Sequence, residues 1–556
     1  MLPPSDLTAT LQLTRQTIRL REPGSVRTSA GLLELTHTPV PGGVRIQLVF
    51  TPDGPQLIEA CWLEQPVSLA PTDRILCNGF QSWTDSPLLS PAAGIPQLRR
   101  LARPFMGYSG DYHIPWIRRQ RGYLHSWSWT ELRRVGQPLL FLGSLNENQA
   151  YTCFQWQQAT GCLRIQSDCG GLAIHQAMVL LDFLVLSGTT AVVYDRWQSM
   201  LGLPPLRAQP ARGWTSWYQH YTNISADIIT DNLQAYQSRG DVLDFFQIDD
   251  GFQTAVGDWL SVRPSFPAGM KAVADEIRQA GFAPGLWLAP CVADKRSRLL
   301  AEHPEWLQKN SRGKPLRVGL NPLWGGWFYA LDTQHPGWRD NMRAVFTTVI
   351  QEWGFEMLKL DFLYAAAIFP TATQTRAQLM RETLLFLREI SGEAYLLGCG
   401  TPLAPGFGIF DYCRIGADIH LQWEHQLLRW LRHRERVSTH VALRTTIGRW
   451  PLAGRVWRND PDVYLLRDEN SQLTFSERSL VHRLNTLLGE VLFTSDNVST
   501  YGDWQNQELA WQREWLSTQV QEITPTGEGI FIIVTAKGNF QVTLETDHAL
   551  VFLPIP

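Results

Sequence analysis

From Gly213 onward, short apolar runs alternate with longer stretches in which apolar residues recur every three to four positions. That texture predicts βα units on a parallel sheet. The runs fall near 213–217 (GWTSW), 243–248, 283–288 (APGLWL), 356–361, 395–399 (YLLGC), 411–416, 461–466 and 490–495 (EVLFTS). Eight such units in roughly 290 residues suit a (β/α)8 barrel. Before them, residues 1–205 hold β-branched or aromatic stretches cut by Pro and Gly: LLELTHTPV, GGVRIQLVFTPDG, PLLFLGSLNE, AYTCFQWQQ and AVVYDRW. Short strands at close spacing without long amphipathic helices predict a β-sandwich. LGLPPLRAQPARG (201–213) reads as a proline-rich linker, and the tail from 517 alternates apolar and polar residues across Gly-containing turns. The expected order is an N-terminal β-sandwich (1–205), a central (β/α)8 TIM-type barrel carrying the chemistry (206–516) and a small C-terminal antiparallel β-domain (517–556).

Two local patterns refine this picture. The most apolar window, AMVLLDFLVLSGTTAVV (177–193), is interrupted by Asp182 and by Ser187-Gly188-Thr189-Thr190. It reads as two buried strands joined by a turn, not as a membrane span. Trp127 and Trp129 alternate, as on one strand, and read as sandwich core.

A hydrophobic content of 44% with 18% charged residues describes a folded globular chain. The formal charge of -3 provides no global attraction to nucleic acid or to an anionic membrane. The one basic cluster, Arg429, Arg432, Arg434 and Arg436, reads as the solvated face of an amphipathic helix. The 23 Trp, 14 Tyr and 24 Phe fit a sugar site, because aromatic rings stack on the apolar faces of sugars while neighbouring polar groups read the hydroxyls. Eight cysteines are scattered without CxxC pairs, which argues against a metal site or disulfide framework and fits a reducing compartment. The start, MLPPSDLTATLQLTRQ, lacks a basic segment followed by an apolar core, so a cytoplasmic location is expected.

Chemistry concentrates where apolar runs end in carboxylates. FFQIDDGFQ (245–253) presents Asp249 and Asp250, and EMLKLDFLY (356–364) presents Lys359 and Asp361 two apart, on one face of a strand. A lysine beside Asp361 is expected to lower its pKa and suit it to nucleophilic attack. YCRIGADIH (412–420) places Arg414, Gly416 and Asp418 at alternate positions, and WRNDPDVYLL (457–466) adds another acidic turn. Any single aspartate after a strand is an ordinary helix cap. Recurrence along one barrel points instead to paired carboxylates flanking a glycosidic bond. GCG (398–400) lacks the third glycine of a dinucleotide fingerprint and is followed by Pro402; Cys399 and Gly400 read as small residues lining a sugar pocket. His420 and His425 flank Glu424 without an HExxH pattern and read as a polar helix start.

The sequence resembles glycoside hydrolase family 36, the melibiase-type α-galactosidases. In the N-terminal half the likeness rests on NGFQSW (78–83), LHSWSWT (124–130) and FLGSLNE (141–147). In the barrel it rests on RGWTSWYQHYTNI (212–224), QIDDGFQ, GDW (257–259), GLWLAP (285–290), LKLDF, GCGTPLAPGFG (398–408), RIGADI and NDPD. The resemblance implies that Asp361 is the nucleophile and Asp418 the general acid/base. It also implies that Asp249 and Asp250 bind the galactose hydroxyls at C4 and C6, that Lys359 and Arg414 are charged residues around the sugar, that Trp287 belongs to the pocket wall, and that Trp83 closes the pocket. Phe80 stands where a second Trp is common, Thr215 where Cys or Asn is often seen, and IHLQW follows Asp418 where a proline or smaller residues are expected. The implied activity is that of a retaining exo-α-galactosidase acting on melibiose- or raffinose-type galactosides, with no metal or organic cofactor and small-molecule substrates as its partners. Alternatives are an α-N-acetylgalactosaminidase of the same fold, a galactosyl-transferring enzyme and a non-catalytic sugar-binding protein.

Overall fold

The computed structural model describes residues 7–544 and 550–555. Residues 1–6, read above for a leader, and positions 545–549 and 556 of the expected C-terminal domain lie outside the described residues.

The centre of the molecule is a parallel barrel of β1 (Ala211–Thr215), β2 (Phe245–Ile248), β3 (Ala283–Leu288), β4 (Met357–Leu360), β5 (Tyr395–Gly398), β6 (Tyr412–Arg414), β7 (Arg458–Asp460) and β8 (Val491–Thr494). Each strand pairs with the next from β1 to β7, and β8 pairs with β1. The remaining seam, β7 to β8, is stitched by Glu490 N donating to Asn459 O at 2.8 Å and Tyr464 N donating to Phe493 O at 3.0 Å. The seventh strand is therefore Arg458–Asp460 and not the expected 461–466. Pro461 lacks the N–H a ladder requires, so the chain turns there, and the apolar VYLL that follows rejoins the sheet through an isolated bridge from Tyr464 to Thr494.

Alternation along the strands sorts residues between two environments. Outward positions such as Phe246, Leu286, Leu358 and Leu396 join the core beneath the helices. Inward positions at the start of the strands, Phe245, Met357, Tyr412, Val491 and Phe493, fill the barrel bottom. Gly213 and Gly285 make room for this plug, since a Cβ at either would fall 2.5 Å from the Phe493 ring or 2.7 Å from Met357 Cε. The same inward rows, carried to the C-terminal ends of the strands, arrive at Asp249, Trp287, Lys359, Asp361, Cys399, Arg414 and Asp460.

The first domain is a sandwich of two antiparallel sheets. One runs Gln16–Arg21, Thr8–Leu13, Gln56–Pro66, Cys162–Ser167, Thr152–Gln157, Tyr123–Trp127, with Leu172–Ile174 also on Gln56–Pro66; the other runs Gly24–Thr28, Gly31–Val40, Gly43–Pro52, Met178–Gly188, Leu139–Ser144, Trp129–Arg133, Arg74–Leu76, Leu88–Leu89. Their facing sides share one core that includes Leu33, Leu48, Phe50, Leu63, Phe154 and Phe183. Two expectations need correction here. Trp127 and Trp129 do not share a strand: Ser128, at φ 66°, passes the chain from one sheet to the other. Both rings are buried, but not between the two sheets: Trp127 packs with Phe80 and Tyr151, and Trp129 with Trp197 and Phe407. The window 177–193 is one strand followed by a helix, Thr190–Leu201, so AVVYDRW is helical. Thr189 Oγ1 accepts from Val192 N and caps that helix, so the polar break acts as a helix start, while Val193, Tyr194 and Trp197 form its buried stripe.

A three-stranded sheet, Val292–Asp294, Gly326–Ala330 and Arg317–Asn321, rises from the loops after β3 and overhangs the barrel mouth. The C-terminal sheet is antiparallel, Val520–Gly527, Ile530–Thr535, Asn539–Leu544 and Leu550–Ile555. Among the described residues no helix is long and apolar enough to cross a membrane.

Candidate active site

One cavity of about 310 Å³ opens at the C-terminal face of the barrel, and Trp83, Asp249, Asp250, Trp287, Lys359, Asp361 and Asp418 all line it. Arg414, Cys399 and Gly400, also picked from the sequence, stand one layer behind. Arg414 lies behind Asp418, its Nη1 donating to Asp418 Oδ1 at 2.6 Å, its Nε to Asp460 Oδ2 at 3.1 Å, and its Nη2 lying 2.7 Å from Asp462 Oδ1. One guanidinium thus serves three carboxylates and orients the exposed one. Cys399 accepts from Trp83 Nε1 at 3.3 Å. Gly400, at φ 55°, lies under the Trp83 ring, where a Cβ would approach that ring to 2.8 Å.

Asp361 follows β4 directly, and the chain then takes a left-handed turn at Phe362, φ 53°. That is a costly conformation for an aromatic residue. It brings Phe362 N within 2.8 Å of Asp361 Oδ1, while Trp287 Nε1 donates to Oδ2 at 3.1 Å. Lys359 does not pair with Asp361 as its spacing suggested. Its Nζ lies 2.8 Å from Asp249 Oδ2, which also accepts from Gln247 Nε2 at 2.8 Å. The lysine still lowers the Asp361 pKa at longer range, but burial is the larger effect and Asp418 adds to it, so the Asp361 carboxyl is raised above its ordinary value. Burial alone would discharge Lys359; Asp249 instead holds it well up, as a firm cation.

Asp250 is the second floor carboxylate. Trp324 Nε1 donates to its Oδ2 at 2.7 Å and Gln253 Nε2 to its Oδ1 at 2.6 Å, yet burial still pushes it up to about 6. Trp324 was not singled out by sequence; its only signal was the aromatic turn PLWGGW (322–327) within the overhanging sheet. Trp217, Phe328, Tyr364, His433 and Glu435 complete the wall and were equally unmarked. Asp462, behind the site at φ 81°, accepts from Tyr218 Oη and from Ile419 N at 2.8 Å; burial takes it up to about 7.

The arginine cluster is the clearest misreading. The helix there is only Gln426–Trp430, and Arg432 turns the chain at φ 60°. The strap beyond it buries Arg434 against Asp111 and Arg436 against Glu424, at 2.7 and 2.9 Å. Arg434 thereby clamps the pocket wall to the N-terminal domain while Arg436 ties the strap to the preceding loop, and solvated helix periodicity does not apply to them. Arg449 makes a second clamp. Fully buried, it donates to Asn78 Oδ1 at 2.8 Å, Ser82 O at 2.6 Å, Gln81 O at 3.1 Å, Gly79 O at 3.3 Å and Ile415 O at 2.9 Å. The NGFQSW loop that carries Trp83 and the loop that carries Asp418 are thereby tied to one side chain.

Residues 213–382 match the Melibiase family model. That match takes in the first four barrel strands, β1 to β4. The whole fold agrees: a structure of TtGalA, an α-galactosidase from Thermus thermophilus in complex with p-nitrophenyl α-D-galactopyranoside, superimposes with a TM-score of 0.72 at 27% identity, covering 92% of this chain and 98% of that one. The chain is 29% identical over 160 residues to an A type blood α-D-galactosamine galactosaminidase of Flavonifractor plautii, covering 27% of this chain and 14% of that protein. It is 23% identical over 263 residues to α-galactosidase Mel36A of Lactobacillus acidophilus, covering 46% of this chain and 31% of the relative. The matched stretches thus span less than a third of either of these two relatives.

Proposed function

We propose that the protein is an exo-acting α-galactosidase that works by double displacement with retention. The observation that carries this reading is the convergence of Asp361 and Asp418 on one cavity whose floor holds Asp249, Asp250 and Lys359. Asp361 attacks the anomeric carbon as the bond to the glycosidic oxygen breaks, and protonated Asp418 gives its proton to that departing oxygen. Asp418 then takes a proton from water, whose oxygen displaces the Asp361 carboxylate. Asp361 fits the attacking role because Trp287 and Phe362 N fix its orientation. Asp249 and Asp250 accept sugar hydroxyls at C4 and C6, and Trp83 and Trp324 bound the ring. The α-galactosidase relatives support the same reading.

A panel of aryl α-glycosides differing only at C2 and C4 tests it. Turnover of the galactoside, little of the C4-epimeric glucoside and little of the N-acetylgalactosaminide is the expected result. Preference for the N-acetyl sugar would move the assignment to α-N-acetylgalactosaminidase. Retention is read from the anomer first released: α-galactose supports it, β-galactose refutes it. The location we infer is cytoplasmic, supported by eight scattered cysteines; cell fractionation tests it.

A further inference from the structure

The cavity changes character between floor and mouth. Charged groups gather at the strand ends, whereas Phe105, Met106, Leu320, Leu323, Leu428 and Val437 line its outer part. Three of these are open to solvent, Phe105 at 41%, Leu320 at 39% and Leu323 at 46%, unusual values for large apolar side chains gathered at one opening. They come from three separate segments, the short Arg103–Met106 helix, the overhanging sheet and its turn, and the strap after β6, so the apolar lip is assembled by the tertiary fold. Phe105 is braced from outside by Trp327, the two rings stacked 5.3 Å apart at 13°.

Most polar side chains of this outer wall are engaged inside the protein, and two wall atoms left without a hydrogen-bond partner among the described residues, Glu435 Oε2 and His433 Nδ1, are themselves buried. Ser109 Oγ donates to Met106 O at 2.9 Å and meets His433 Nε2 at 2.9 Å. Arg436 is committed to Glu424 and to His433 O at 2.9 Å. Glu435 accepts from Thr84 Oγ1 at 2.7 Å, with its side chain wholly buried. Asn321 Oδ1 accepts from Leu323 N at 3.0 Å. A sugar leaving group brings many hydroxyls that lose water on entering such a wall and find few partners in exchange. An alkyl or aryl group loses only unfavourable hydration.

Resting on the α-galactosidase reading, we propose that the mouth is an aglycone site for apolar groups, so that the preferred substrates are α-galactosides of alkyl or aryl alcohols and not galacto-oligosaccharides. A galactose seated on the floor carboxylates must send its aglycone out through this lip, which commits the surface to that occupant.

The test is kcat/KM for methyl, butyl, hexyl and octyl α-D-galactosides below their micelle concentrations, with melibiose as the polar-aglycone comparison. The higher alkyl alcohols differ little as leaving groups, so chain length reports contact with the lip. The expected result is a rise of about two- to fourfold per methylene over the first several carbons, with octyl well above melibiose. Phe105→Asn and Leu323→Asn should each flatten the octyl-to-methyl ratio measured within that variant. A series flat in chain length, with methyl galactoside and melibiose turned over normally, overturns the proposal and leaves the α-galactosidase reading intact. So does a steep series that neither variant flattens. If light scattering finds a stable dimer that Leu323→Asp dissociates while the series stays flat, the lip is an interface between copies and the proposal is wrong. Failure on every α-galactoside, activated aryl ones included, removes both readings.

Discussion

Lys359 Nζ lies 2.8 Å from Asp249 Oδ2, and Asp361, two residues further along the same strand end, is left without a direct cationic partner. In the proposed mechanism Asp361 must be ionised to attack. Its carboxyl is raised by burial and by Asp418, so kcat/KM should fall on acidification at a pH above the ordinary 3.8 of an aspartate. Lys359→Met removes the largest effect holding that value down. The acid limb of the pH profile should therefore move to higher pH, with kcat/KM lower by about 10²-fold or more at neutrality. An unmoved limb would show that Lys359 does not act on Asp361.

Asp250 predicts a conflict between stability and function. Its folded pKa, about 6, exceeds the ordinary 3.8, so the folded protein binds the proton more tightly than the unfolded chain. Stability from this group is present below pH 4 and is lost as pH rises through 6, a loss of at most about 3 kcal/mol. Asp250→Asn does not titrate. The variant should gain stability relative to the parent between pH 4 and pH 7 in denaturant melts, while turnover of galactosides collapses. A constant gap across that range would contradict the assignment.

The two proposed catalytic aspartates are separable by azide. Asp418→Ala should keep glycosylation on activated aryl galactosides and lose it on alkyl ones, because only the latter need protonation. Azide should then attack the β-linked intermediate from the vacated side and yield the α-azide. With Asp361→Ala no covalent intermediate forms, and azide in the vacated space should displace the leaving group directly to yield the β-azide. Product NMR decides, and the opposite pattern would exchange the two roles.

Arg449 predicts a structural dependence. Its donors reach five oxygens from two loops, so Arg449→Met leaves several buried acceptors unsatisfied. The expected loss is about 3 kcal/mol or more. Asn78→Ala, which removes one acceptor of that set and its own bond to Trp127 O, should cost less, about 1–2 kcal/mol. Thermal or urea melts of the two variants check the order.

The sequence by itself determined the architecture and the carboxylate-bearing strand ends. The periodicity of apolar runs located seven of the eight barrel strands to within a few residues, because a buried parallel strand must be apolar on both faces wherever it pairs. It also placed Lys359 and Asp361 on one strand face, since alternation is a local property, whereas the alternation read for Arg414, Gly416 and Asp418 stops at Arg414, where the strand ends. It failed where a proline halted the ladder at Pro461 and where a polar break served as the helix cap at Thr189. The partnership of Lys359 was decided only in three dimensions: Asp249 follows the end of β2, two strands away across the barrel interior, and neighbour spacing along one strand carries no information about it. The burial of Arg434, Arg436 and Arg449 was decided the same way, because a charge run looks solvated in a sequence until distant segments supply its partners. Trp324, Phe105 and Leu323 meet around one opening for the same reason: the loops that carry them are brought together by the packing of sandwich on barrel, a long-range event with no local signature.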